Sequence, residues 1–188
     1  MSVIPPDWQG PVDTYNAALT RRQGGVVVLE GDEGSGRSRV LAYMGESADA
    51  LGLAVHAVGV TRPDGPTGVL LRLLASVRPY LPAEQAEALG AAAAKAIESA
   101  GGTARNQLNA ALADALATLS RTSPQVILVD EAHEALLPAI DGLLALARAL
   151  ATEPILFVLT MDAAVRTPRL DALRALSERL TVPPLTEP

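Results

Sequence analysis

The chain has 188 residues and a mass of 19.4 kDa, enough for one hydrophobic core. With 49% hydrophobic and 19% charged residues, a formal charge of −6 and no cysteine, it is neither a disordered nor a collagenous chain, it carries no disulfide or thiolate metal site, and it lacks the overall basicity of a nucleic-acid binder. Aromatic residues make up only 3%, too few for a stacking platform, no apolar run reaches the roughly 18 residues of a membrane span, and the N-terminus has no signal pattern, so a cytoplasmic protein is expected.

Taken in order, residues 1–11 read as an irregular lead-in with Pro5, Pro6 and Gly10. Val12 to Arg22 has helical spacing, and Gly24-Gly25 reads as its C-terminal stop. Val26 to Leu29 is a β-branched, uncharged run, the mark of a strand buried on both faces. Gly31 to Ser38 is a glycine-rich turn, and Arg39 to Leu51 a helix that stops at Gly52. Leu53 to Val60 reads as a second strand, and Thr61 to Gly68 as a loop.

A helical stretch of about 67–121 follows, carrying Val69 to Leu81, a helix opened by Pro82 with Glu84 and Glu87 in its first turns, and Thr103 to Ser120 with Leu108, Leu112, Leu116 and Leu119 on one stripe. The alanine-rich Gly90 to Gly102 between them is helix-forming filler. Val126 to Val129 is a further buried strand, Leu136 to Ala151 a helix, and Ile155 to Leu159 another uncharged strand. Pro168 to Leu180 reads as helix, with LTVPPL after it as a short edge strand because prolines bar a central position. Apolar strands that alternate with helices imply one α/β domain over 1–188, its parallel sheet covered on both faces.

Two motifs carry chemistry. GDEGSGRS, Gly31 to Ser38, stands between a strand and a helix, the setting in which G-x-x-x-x-G-K-[S/T] cradles phosphate. Glycines let backbone N–H groups turn toward a phosphate, and the helix N-terminus adds its positive end. Ser38 offers a hydroxyl to Mg²⁺, while Arg37 stands where the pattern has lysine. Because Lys95 is the only lysine among 15 basic residues, the exchange also follows the chain's general usage. An arginine keeps the charge but is a wider, planar fork, so weakened hydrolysis with retained binding is expected.

The second motif is VILVDE, a hydrophobic strand ending in two carboxylates. Asp130 is placed to hold Mg²⁺ and Glu131 to orient or deprotonate the attacking water. By themselves, Thr160 reads as a cap at a strand end, Arg166 as a solvated helix residue and His133 as a surface histidine in a first helical turn.

VVVLEGDEGSGRSRVL, VILVDEAHEA, ILFVLT and RLTVPPL together resemble the nucleotide-binding core of the STAND and AAA-like ATPases. Within that group they are most similar to the N-terminal ATPase domain of large LuxR-type transcriptional regulators. The resemblance covers roughly Trp8 to Pro188. It implies a P-loop three-layer sandwich with five parallel strands in the order 5-1-4-3-2, acting as an ATP switch coupled to oligomerisation. It also implies that Gly31, Asp32, Glu33, Gly34, Ser35, Gly36, Arg37, Ser38 and Arg39 lie on the phosphates, Ser38 and Asp130 on Mg²⁺, Glu131 as the catalytic carboxylate and Thr160 as the sensor of the γ-phosphate.

The sequence departs from that family at Arg37 and at Gly10-Pro11, which replaces a Gly-Arg pair. It departs again at Thr160-Met161-Asp162, which lacks the arginine many STAND proteins carry after the sensor strand. A helicase would need a second core, a GTPase an N-K-x-D motif, and a dinucleotide-binding domain a third glycine. The remaining alternative is a nucleotide-binding or degenerate module without turnover that serves as a protein-interaction element. The expected partners are ATP and either a second copy or another protein, with no specific DNA bound by this chain alone and no membrane.

Overall fold

A computed structural model describes residues 10, 12, 13, 15–17, 24–60, 65–99 and 101–181, with the side chains of 178–181 left out. Most of the lead-in, the second half of the Val12 to Arg22 helix, residues 61–64 of the loop and the VPPL end of the edge-strand expectation lie outside these residues. The described residues among 10–17 are helical, and Tyr15 is fully buried.

Five parallel strands form the sheet: β1 (Gly25–Gly31), β2 (Ala54–Gly59), β3 (Gln125–Asp130), β4 (Ile155–Asp162) and β5 (Glu178–Thr181). Their spatial order is β2-β3-β4-β1-β5, which read from the other edge is 5-1-4-3-2. The helices are α1 (Arg37–Ala50), α2 (Gly68–Val77), α3 (Ala83–Glu98), α4 (Gly102–Ser120), α5 (Leu137–Ala149) and α6 (Pro168–Leu176). Of these, α2, α3 and α4 stand between β2 and β3.

The uninterrupted apolar runs are explained by cover on both faces. Val26 and Val28 of β1, Ile127 and Val129 of β3, and Ile155, Phe157 and Leu159 of β4 enter a core shared with α2 to α6. The intervening Val27 and Leu29, Val126 and Leu128, and Leu156 and Val158 enter a second core with Val40, Leu41 and Met44 of α1 and with Tyr15. Successive strand side chains point to opposite faces, so each strand needs apolar residues at every position. Each side chain so buried contributes about 1.5–3 kcal/mol. Leu108, Leu112 and Leu116 of α4 are completely buried, while Leu119 packs partly exposed at the margin.

Three expectations need correction. Gly25 belongs to β1, and a Cβ on Gly24 would sit 2.0 Å from the Glu153 carbonyl oxygen, so this glycine marks a close backbone approach at the foot of β1 and β4. The last helix ends at Leu176, not Leu180. Ser177 is already extended, and β5 starts at Glu178, where it pairs with the free edge of β1 at Val27. Local helical spacing loses here to the backbone hydrogen bonds that an uncovered β1 edge provides. The edge strand therefore starts at Glu178, two residues ahead of the expected Leu180.

Candidate functional site

The carboxyl ends of β1, β3 and β4 meet at one edge of the sheet, where β1 and β4 pair through Leu29 with Thr160 and Gly31 with Asp162. In open α/β sheets this edge is where ligands bind, at the point where the strand order reverses. Beyond Gly31 the loop turns, with Ser35 N–H donating to the Asp32 carbonyl at 3.1 Å. Gly34 has φ 79° and Gly36 φ 88°, left-handed values that favour glycine. Gly36 is the residue before α1, and its carbonyl accepts from the N–H groups of Arg39 and Val40. Arg37 and Ser38 are thus already in the first helical turn, two residues earlier than the sequence pattern indicates.

Asp32, Glu33 and Gly34 at the crest, and Ser38 and Arg39 on the helix, are exposed. Ser35 is 2% exposed, and its hydroxyl has no hydrogen-bond partner. A buried, unsatisfied hydroxyl costs about 1–3 kcal/mol, so its presence in a loop of this shape points to a ligand atom that completes it.

The acidic pair arrives from β3. Ser38 Oγ donates to Asp130 Oδ1 at 3.1 Å, which brings the hydroxyl of α1 and the carboxylate of β3 together. Thr160 is fully buried, and its Oγ1 donates to the same Asp130 Oδ1 at 2.6 Å while accepting from the Glu131 N–H at 2.7 Å. Thr160 is therefore not a strand-end cap: β4 runs two residues further, to Asp162, and the threonine links the two acidic residues from within the strand. Glu131 has φ 57° and is the one non-glycine residue with positive φ among the described residues. That conformation costs roughly 1–2 kcal/mol, and the Thr160 bond helps to hold it. The turn bends the Glu131 side chain, 45% exposed, toward the loop.

Arg37 folds back into this cluster. It is 7% exposed, and its Nη1 donates to the Gly31 carbonyl oxygen. Its guanidinium lies 3.9 Å from a Glu131 carboxylate oxygen and 3.8 Å from Asp162 Oδ2.

His133 is a further correction. Its side chain is only 7% exposed, in a 3₁₀ turn over Ala132–Glu134, and Nδ1 accepts from the Asp162 N–H at 3.3 Å. The short turn after β3 tucks the imidazole under the end of β4 instead of starting an exposed helix. Arg166 is 57% exposed and pairs with Asp171 at 3.0 Å; it is solvated as expected, but it stands in the loop before α6 and not on a helix.

Sequence reading missed Arg174. It is 3% exposed, donates through Nε to Glu30, and places its other nitrogens on Asp171 Oδ1 at 3.0 Å and on the Asp162 and Val165 carbonyls at 3.1 and 3.0 Å. It ties α6 to the ends of β1 and β4 directly beneath the loop. The only sequence signal is Glu30, a charge at the end of an otherwise apolar strand, which inside a covered sheet requires a partner.

Among the described residues, no three His, Cys, Asp or Glu side chains gather into a metal site, and no helix is long and apolar enough to cross a membrane.

A family model described as "AAA ATPase domain" matches residues 12–185. Among solved structures, the Aeropyrum pernix ORC1 protein in complex with DNA is similar with a TM-score of 0.61 at 19% identity, over 99% of this chain and 47% of that one. AMPPCP-bound DnaA from Aquifex aeolicus gives 0.55 at 10% identity, over 96% of this chain and 48% of that one. PCH-2 of C. elegans gives 0.53 at 13% identity, over 98% and 45%. The chain thus spans about half the length of the solved chains it matches. No curated protein matches the sequence.

Proposed function

The chain belongs to the AAA ATPase domain family of nucleotide-binding P-loop proteins, and on that premise we propose that it is an ATP-dependent switch that binds ATP·Mg²⁺ on Gly31 to Arg39 and hydrolyses it slowly. The observation that carries this reading is the convergence of Ser38, Asp130, Thr160 and Glu131, drawn from a helix and two strands into one hydrogen-bonded set beside the glycine loop. Three features suit a triphosphate: the left-handed glycines, the N-terminus of α1, and the orphaned Ser35 hydroxyl. The AMPPCP bound by the structurally similar DnaA is a triphosphate analogue, which agrees with this assignment.

The donor set also suits Mg²⁺. Ser38 Oγ and Asp130 Oδ1 are hard oxygen donors 3.1 Å apart, and Mg²⁺ commonly takes one or two protein ligands and fills its shell with phosphate oxygens and water. The ion, when bound, neutralises charge on the phosphates. The chain's own residues do the rest. Backbone N–H groups of Gly34 and of Gly36 to Ser38 hold phosphate oxygens, Arg37 adds its charge, and Glu131 accepts a proton from the attacking water. Thr160 orients Asp130 through its hydroxyl and the turn at Glu131 through that residue's N–H, so it is placed to couple the γ-phosphate position to both carboxylates.

Slow turnover follows from Arg37, whose planar fork replaces a compact ammonium where charge develops in the transition state. Within the family we assign the chain to the STAND-like branch that includes the ATPase domains of large LuxR-type regulators, on the strength of its two motif strings. Nucleotide state would then be read out by self-association or by a protein partner. The acidic balance of −6 argues against specific duplex DNA as a ligand of this chain alone.

The test is steady-state phosphate release beside an ATP titration, in the parent and in Glu131→Gln. The parent should release phosphate slowly, and the variant should bind ATP as the parent does but release none. Unchanged release in the variant would remove Glu131 from catalysis. Tight ATP binding without release in the parent would make the chain a non-hydrolysing interaction module.

A further inference from the structure

We propose that Asp162 is the counter-charge that fits this phosphate loop to an arginine: with the site empty it holds the Arg37 guanidinium back, and nucleotide must draw Arg37 away from it. The inference rests on the nucleotide-binding reading of the loop and assigns a positioning residue to it. Arg37 is 7% exposed and spans the Gly31 carbonyl, Asp162 Oδ2 at 3.8 Å and Glu131 at 3.9 Å. A lysine has one nitrogen and could not address three separated acceptors with the same reach, whereas a guanidinium has five N–H donors spread over a plane.

Asp162 is itself fixed on every side. Its N–H donates to His133 Nδ1 at 3.3 Å, its carbonyl accepts from Arg174 Nη2 at 3.1 Å, and its Oδ1 accepts from the Ala164 N–H at 2.8 Å. The second carboxylate oxygen is the one that faces Arg37. The position after the sensor strand thus carries an anion anchored by a histidine below and an arginine beside it. In this arrangement the loop's cation and the Glu131 carboxylate partly neutralise each other until phosphate arrives. Phosphate oxygens then compete for the same guanidinium that Asp162 holds.

Asp162→Asn keeps the Oδ1 acceptor for Ala164 and removes the charge. The experiment measures ATP and ADP affinity by calorimetry in the parent, Asp162→Asn, Arg37→Ala and the double variant, with urea denaturation of all four in the absence of nucleotide. Asp162→Asn should bind ATP about fivefold more tightly than the parent, the size expected for loss of one partly solvated charge pair, and the gain should vanish in the Arg37→Ala background. In the empty protein, the two substitutions together should lower the urea midpoint by less than the sum of their separate effects.

A gain in affinity that persists without Arg37 would mean that Asp162 acts only as a general negative field, and would overturn the proposal. Weaker binding by Asp162→Asn, or additive urea midpoints, would overturn it as well. A parent that binds no nucleotide would sink the functional reading instead and with it the release step, while the urea cycle alone decides whether Asp162 holds Arg37.

Discussion

In the proposed function, Arg37 is the residue that sets the rate of turnover. Its side chain lies within reach of both the glycine loop and the Glu131 carboxylate, and burial leaves it little freedom to adjust as charge would move in a transition state. Ground-state attraction to phosphate needs only the charge, whereas transition-state stabilisation needs the geometry. Arg37→Lys should therefore raise the turnover number by about tenfold, equivalent to about 1.4 kcal/mol of barrier, with little change in ATP affinity. Single-turnover phosphate release measures this, and a lysine variant no faster than the parent would show that the site has adapted fully to arginine. At this scale the sequence displayed the chemistry-bearing residue types through motif spacing, but not their neighbours. The Arg37 contacts with Glu131 and Asp162, and the Arg174 contact with Glu30 across 144 positions, join segments that no local pattern relates.

At the scale of elements, a buried polar junction joins β2, α2 and β3. His56 is 2% exposed, its Nδ1 lies 2.8 Å from Ser76 Oγ, and its Nε2 lies 2.9 Å from Gln125 Oε1. Burial pushes the imidazole below its ordinary value of 6.5, against the opposing pull of the two hydrogen bonds. A folded value below the unfolded one means that the unfolded chain takes up the proton first. The stability His56 contributes is thus complete above pH 6.5 and is lost as pH falls through the lowered folded value. The urea midpoint should fall as pH drops from 6.5, and a His56→Gln variant should lose much of that slope. An identical slope in the variant would place the pH dependence elsewhere.

The elements themselves were largely legible, because a two-sided core forces continuous apolar strands and stripes such as Leu108, Leu112 and Leu116 force an amphipathic helix. Their ends were not. The stop at Leu176, the extension of β4 to Asp162 and the 3₁₀ turn at His133 are set by strand pairing and by contacts from distant segments.

For the whole molecule, strand order and site location have one cause. Placing β1 between β4 and β5, with β3 beyond β4, brings the glycine loop, the acidic pair and Thr160 to one edge. The order itself came from resemblance, since alternating strands and helices specify a parallel sheet but not which strands are neighbours. The central claim is that this edge binds ATP through a metal shared by Ser38 and Asp130. Calorimetric titration of ATP with and without Mg²⁺, in the parent and in Asp130→Ala, tests it most directly. The account predicts that Mg²⁺ tightens ATP binding in the parent and that this tightening disappears in Asp130→Ala. A folded parent that gives no heat with millimolar ATP·Mg²⁺, or an Asp130→Ala variant that responds to Mg²⁺ as the parent does, would contradict it.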